Sequence, residues 1–534
     1  MKLTNSGIQN QTEWTEKGYI LPSYNRTTMT EETNKNPTWV HFGAGNIFRI
    51  FPAALQQRLL NEGLSSTGII VGEGFDYQII DQVYEKHDNL TLMVTLKSDG
   101  SIAKEVISSV AEAYKCDQKY SREWEFFKQT FRSPSLQMVS FTITEKGYAL
   151  KRGDGSFHPA IEHDFEAGPK ENAMFLPRLT ALVYERYLAK GGKLALVSMD
   201  NCSHNGEKLQ DAVFTIAQEW EARDLVKKGF VDYLKTEVSF PWSMIDKITP
   251  RPDAKVEAML KADGFEDTSL VVTDKNTYTA AFVNAEEPQY LVIEDDFPAG
   301  RPPLEKAGVY FTDRETVNKV ERMKVTTCLN PLHTALAIYG CLLSHTLISE
   351  EMQDPQLKRM VEIIGYEEGM PVVTDPGILD PKAFIDEVLT VRFPNPFMPD
   401  TPQRIATDTS QKLAIRFGET IKSYLASDTL RAEDLKLIPL VFAGWLRYLM
   451  GLDDELNPFT PSSDPRLEEA QAFLKDIKIG MNGPFPALEA LLKDESIWGV
   501  DLQEVGMADL VLSYFSELIE GKGAIRKTLI KYVK

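Results

Sequence analysis

The sequence predicts an α/β fold in two parts: a mainly parallel sheet covered by helices in the N-terminal part, then a mainly α-helical C-terminal part. Three observations predict it. The segment WVHFGAGNIFRIFPAAL, Trp39 to Leu55, passes from a short apolar run through a glycine turn into residues at helical spacing. Strand-like apolar runs then alternate with amphipathic helical patterns. From Pro331 onward the periodicity is mostly helical.

Taken in order, residues 1–36 are polar and rich in Thr and Asn, which predicts a leader lying on the surface. It has no apolar core of the signal-peptide kind. Val40-His41-Phe42 is the first strand candidate, Ile47, Phe51, Leu55 and Leu59 recur at helical spacing, and Gly68 to Gly72 is a second strand, a βαβ opening. Further strands are expected at Leu92 to Leu96, Met138 to Thr142 and Leu194 to Met199, with helices over 172–190 and 206–221. Such alternation favours a parallel sheet covered on both faces. Beyond residue 306, HTALAIYGCLL, DPKAFIDEVL, LKLIPLVFAGWLRYLM and LQEVGMADLVLSYFSELI predict successive helices punctuated by Pro and Gly.

A chain of 534 residues exceeds what one hydrophobic core organises, so two domains are expected. With 43% hydrophobic and 25% charged residues it has the composition of an ordered globular protein. A net charge of −20 speaks against nucleic acid as a partner, because phosphate neutralisation needs clustered Lys and Arg. No stretch approaches about 18 uninterrupted apolar residues, so no membrane partner is expected either. The four cysteines contain no C-x-x-C pair, which signals neither a zinc site nor a disulfide framework. Reduced thiols and a cytoplasmic location fit.

In FGAGNIF, Gly43 permits a tight turn and Gly45 a close backbone approach to a pyrophosphate. Asn46 and Ile47 open the following helix, whose N-terminus meets the phosphate charge. Phe48 stands where the third glycine of such a motif normally falls. Glu73 and Asp76, at the end of the second strand, are placed to accept hydrogen bonds from an adenosine ribose and to disfavour a 2′-phosphate, so NAD is expected over NADP. The plainer alternatives are a glycine turn between packed elements and a solvated strand end. Arg49 is open to two readings, a phosphate contact or a pair with a surface acid.

Oxidising a secondary alcohol requires removal of the hydroxyl proton and a place for the developing alkoxide. Zinc dehydrogenases use Cys and His ligands, and with no C-x-x-C pair and seven histidines no set is recognisable, so no metal is expected. Short-chain dehydrogenases use Tyr-x-x-x-Lys, which occurs nowhere in the chain. A lysine base remains, and Lys324, bordered by Met323 and Val325, has the apolar setting that brings an amine towards neutrality. Asn330 is a candidate oxyanion donor and His333, one helical turn on, a candidate ligand for a substrate hydroxyl. Asn330-Pro331 also has the form of an N-cap followed by N1, so a purely capping role for Asn330 stays open.

These segments together resemble the mannitol dehydrogenase family, the polyol-specific long-chain dehydrogenases and reductases. The matching segments are HFGAGNIFR, VSFTITEKGY (Val139 to Tyr148), SMDNCSHNG (Ser198 to Gly206), FPWSMIDKITP (Phe240 to Pro250), EDDFPAGRP (Glu294 to Pro302), KVTTCLNPLH and VRFPNPFMPDT (Val391 to Thr401). They fall in the family's order over most of the chain.

The resemblance implies a Rossmann-like NAD-binding domain over 37–305 and a mainly helical substrate-binding domain over 306–534. It implies a metal-independent reaction in which Lys324 is the general base, Asn201 joins Asn330 on the oxyanion, and Asp246, His333, Arg392 and Asn395 line the sugar site. Glu145 is implied to orient substrate or gate a proton path; a loop cap is its alternative. Asn201 as a helix cap, Asp246 paired with Lys247 or an Arg, and Arg392 paired with Asp386 or Glu387 are the plain readings of the others. Lys324 and Asn330 enclose five residues, one more than the family's usual spacing, which a bulge would absorb. The expected activity interconverts fructuronate and D-mannonate, with Arg392 suited to a carboxylate. Mannitol 2-dehydrogenase, tagaturonate reductase and a catalytically inactive nucleotide or sugar-acid sensor are the alternatives, and a monomer is expected.

Overall fold

Trp39–Phe42 (β1) is buried at every position, with Val40 and Phe42 in one hydrophobic cluster and Trp39 in another. A strand covered on both faces requires that pattern. In this computed structural model, which describes residues 1–534, β1 lies inside a six-stranded, all-parallel sheet. The other strands are Ile69–Glu73 (β2), Val110–Lys115 (β3), Met138–Phe141 (β4), Leu194–Ser198 (β5) and Val238–Ser239 (β6). Their order across the sheet is β3-β2-β1-β4-β5-β6, that of a doubly wound nucleotide-binding fold whose winding reverses between β1 and β4. This Rossmann-type sheet is as the sequence predicts.

Three local expectations change. The helix expected through Ile47, Phe51, Leu55 and Leu59 is two helices, Asn46–Ile50 (α1) and Pro52–Asn61 (α2), broken at Phe51 with φ −119 and ψ −75. Pro52 has no N–H to continue the α1 ladder but is well suited to open a new helix. The strand at Leu92 belongs to a different, mixed sheet: Thr91–Leu96 pairs antiparallel with Ile102–Ile107 and parallel with Phe282–Glu286. Its close antiparallel neighbour, a hairpin partner, took it out of the parallel set. Residues 1–36 are not a surface leader, since Leu3 and Trp14 are fully buried and Tyr19–Ile20 pairs with Lys104 and Glu105.

The chain forms two units, Met1–Lys97 with Ser101–Asn318, and Ser98–Gly100 with Lys319–Lys534. The second is built on helices. Asn330–Leu342 (α3) is buried from Thr334 onward, and Leu437–Leu449 (α4) throughout. They approach closely at Gly444, where a Cβ would stand 2.6 Å from the Tyr339 ring, and the Tyr339 hydroxyl donates to the Leu440 carbonyl at 2.7 Å. Glu368 accepts from the backbone N–H groups of Lys436, Leu437 and Ile438 at 2.6, 2.7 and 2.9 Å, placing a carboxylate at the positive end of α4. No helix is long and apolar enough to cross a membrane.

Four widened π-turns mark this unit: Lys324–Cys328, Ile363–Gly369, Val388–Arg392 and Ala414–Gly418. Each closes i→i+5 and so holds one residue more than an α-turn.

Glu351 packs against Gly340 of α3, fully buried, and neither carboxyl oxygen has a hydrogen-bond partner. Burial, reinforced by Asp354 and Glu350, raises its pKa well above the carboxylate range. The folded state therefore holds the proton to higher pH than the unfolded chain, so stability is lost as pH climbs above the unfolded value. Glu351→Met is expected to stabilise the protein by about 1–3 kcal/mol, more at pH 8 than at pH 5. Chemical denaturation at the two pH values checks this, and a destabilised variant would contradict it.

Candidate active site

The glycine turn leaves β1 at the carboxyl edge of the sheet, where such folds bind ligands. Gly43 has φ +106, and a Cβ on it would stand 2.2 Å from the Thr142 carbonyl oxygen, so only glycine fits. At Gly45 no atom lies within 4 Å of where a Cβ would stand, and no side chain caps α1. The first N–H groups of a helix have no partner within it, so this turn presents donors beside open space. The Asn46 side chain faces inward, donating to the Tyr278 carbonyl at 3.1 Å and accepting from the Thr279 hydroxyl at 2.9 Å. Ile47 follows it in α1.

Phe48 replaces the missing third glycine by stacking on His41, with ring centroids 4.0 Å apart. His41 is held between the hydroxyls of Ser140 at 2.7 Å and Thr142 at 2.9 Å, and burial lowers its pKa to about 3. Arg49 does neither of the things the sequence offered. It is buried, donates to Thr91 and Thr279 hydroxyls at 3.0 and 2.9 Å, and ties α1 to the mixed sheet.

Glu73 and Asp76 are less free than the sequence implies. Glu73 accepts from the backbone N–H groups of Ala44 at 2.8 Å, Phe75 at 2.8 Å and Asp76 at 3.0 Å, linking the turns after β1 and β2. Burial raises its pKa, and those three donors pull against the rise. Its carboxylate shapes the cradle. Asp76 spends Oδ2 on the Thr273 and Thr277 hydroxyls, both at 2.6 Å.

Asn201 lies in the bend after β5, exposed, and does not cap the next helix, Asn205–Ala222. Beside it is a network the sequence reading missed. Asp200 Oδ1 accepts from Thr144 N–H at 2.8 Å, and Oδ2 from Ile143 N–H at 3.0 Å and the Tyr148 hydroxyl at 2.5 Å. Thr144 is held at φ +66 and ψ 157, a region nearly confined to glycine, and Glu145 follows it and pairs with Lys208 at 2.8 Å. The only sequence signal was adjacency to Asn201. Asp246 is buried at the end of Ser243–Asp246, while Lys247 Nζ reaches the Glu286 carbonyl at 2.8 Å and Gln289 at 3.0 Å.

In the helical unit Lys324 is buried at the head of its π-turn, and Leu329 N–H donates to the Lys324 carbonyl at 3.2 Å. Asn330 is the first residue of α3, not its cap; Leu329 occupies the cap position, and no side chain caps this helix. The His333 ring packs against that of Phe393, tilted 37° with centroids 5.0 Å apart, and its Nε2 is 3.8 Å from Asp400. Burial, followed by Arg416, Arg404, Arg392 and Lys412, lowers its pKa to about 3, so it is neutral at physiological pH. Arg392 and Asn395 are buried, and Asn395 accepts from Phe397 N–H at 3.0 Å. Asp386, one acid the sequence offered to Arg392, holds the Tyr366 hydroxyl at 2.5 Å and Lys382 at 2.8 Å.

Residues 37–306 match the mannitol dehydrogenase Rossmann domain and residues 316–514 the mannitol dehydrogenase C-terminal domain. The chain belongs to the mannitol dehydrogenase family. It is 49% identical over 536 residues to the D-mannonate oxidoreductase of Thermotoga maritima, covering 100% of this chain and 99% of the relative. It is 29% identical over 532 residues to the mannitol 2-dehydrogenase of Emericella nidulans, covering 97% and 96%. Among solved structures, the Pseudomonas fluorescens mannitol 2-dehydrogenase in ternary complex with NAD and D-mannitol shares 25% identity, with TM-score 0.69 over 99% of both chains. A substrate-free D-sorbitol dehydrogenase shares the fold at 24% identity, with TM-score 0.78 over 96% of this chain and 97% of that one. This mannitol dehydrogenase family member is thus an oxidoreductase. The stretch from Lys324 to Asn330 contains the π-turn Lys324–Cys328, which holds one residue more than an α-turn.

Proposed function

We propose that the chain is an NAD-dependent, metal-independent oxidoreductase that interconverts fructuronate and D-mannonate. The observation that carries this reading is the end-to-end likeness to D-mannonate oxidoreductase. The glycine turn fits a dinucleotide, with open space at Gly45 and uncapped N–H groups at Asn46 and Ile47. Gly43 fixes the turn, Glu73 braces it, and Glu73 and Oδ1 of Asp76 are acceptors for a ribose hydroxyl. Bound NAD supplies hydride transfer.

The chain's own residues handle the proton and the charge. Lys324 Nζ takes the hydroxyl proton in oxidation and returns it in reduction. The amides of Asn330 and Asn201 donate to the substrate oxygen as it gains charge. Neutral His333 and Asp246 hold further hydroxyls, with Arg392 and Asn395 along the sugar.

NADH consumption with fructuronate, tagaturonate and fructose tests the reading. Turnover of fructuronate at the highest kcat/KM is expected. Preference for tagaturonate or fructose would replace it with the corresponding reductase or with mannitol 2-dehydrogenase, and NADH binding without turnover would make the chain a sensor.

A further inference from the structure

Arg416 sits in the widened turn Ala414–Gly418, and its Nη1 donates to the hydroxyl of Thr334, the residue after His333. Its remaining N–H groups have no protein acceptor, and it forms no ion pair. A guanidinium taken largely out of water without an anion is costly, and burial alone lowers the Arg416 pKa to about 10. The neighbouring cations are differently placed. Arg404 pairs with Asp400, and Lys412 donates to the carbonyls of Ile405 and Thr407, with Asp408 and Asp464 near it. Asp464 is itself engaged by the backbone and hydroxyl of Ser410. Beside this group His333 has a buried Nε2 with no hydrogen-bond partner, and Asp400 at 3.8 Å already holds Arg404. Arg416 is thus the cation of this group without an anion, and an unmet polar atom lies beside it.

We propose that Arg416, with His333 beside it, receives the carboxylate of a sugar-acid substrate and so sets the preference for the acid over the neutral ketose. The inference rests on the sugar-acid reading above and deepens it by naming an anion partner in addition to Arg392. The planar fork of Arg416 offers two parallel N–H donors to the two carboxylate oxygens. Fructose, with a hydroxymethyl group in place of the carboxylate, leaves that fork without its anion.

The test compares kcat/KM for fructuronate, fructose and fructose 6-phosphate in wild type, Arg416→Gln and Arg416→Lys. The fructuronate-to-fructose ratio should fall about tenfold or more in Arg416→Gln, mainly through KM, and recover in part in Arg416→Lys, which keeps the charge. Thermal stabilisation by D-mannonate relative to D-mannitol should fall in the same order, a readout that needs no turnover. An unchanged ratio in Arg416→Gln overturns the proposal, and so does a wild-type preference for fructose 6-phosphate, which would make this a phosphate site. Should wild type turn over none of the three yet be stabilised by D-mannonate through Arg416, the activity reading fails and the anion site stands.

Discussion

Replacing Lys324 with methionine is expected to lower kcat by about 10²–10⁴-fold, the range in which positioned acid–base groups act. Methionine matches the lysine stem in length and is at home in a buried site, so the fold and the π-turn should survive. On the proposed mechanism the variant has no Nζ to take the hydroxyl proton in oxidation or to return it in reduction, so the rate should fall in both directions. Steady-state rates in both directions, with NADH binding followed separately by fluorescence, check this. A variant that keeps its rate would remove Lys324 from the chemistry.

Glu73→Gln should weaken NADH binding by about tenfold or more and destabilise the protein by about 2–4 kcal/mol. A glutamine keeps the shape but turns an NH₂ group towards backbone N–H donors that the carboxylate now satisfies. Ala44 would lose its acceptor, or Phe75 and Asp76 would lose theirs, and the two turns would no longer be linked. Isothermal titration with NADH and a denaturation curve measure the two effects. Loss of affinity without loss of stability would instead point to Glu73 acting directly on the nucleotide.

The parallel sheet was legible because strands buried on both faces consist mostly of apolar residues, as in β1, β2 and β5. Val110–Lys115 was not read as a strand because its burial is mixed, with Glu112, Tyr114 and Lys115 only partly covered. The N-terminal residues were misread because polar composition hides two anchors, Leu3 and Trp14, that decide their packing. Glycine positions and the Lys324, Asn330 and His333 run were visible as types and spacings. What those side chains spend their hydrogen bonds on was not: the ties of Glu73 to Ala44 and of Asp200 to Thr144 join segments 29 and 56 residues apart. Arg416 was invisible for a related reason, since a missing ion pair leaves no mark in a sequence.

Helices that contain an extra residue within one turn can gain or lose that residue without shifting the rods on either side. In this chain such places coincide with Lys324, Arg392 and Arg416. Insertions and deletions of single residues, usually sought in surface loops, can here slide a buried side chain around the helix axis while the surrounding core stays put. Pairwise matching of relatives by counted position would then misassign the partner of each of these residues by one step.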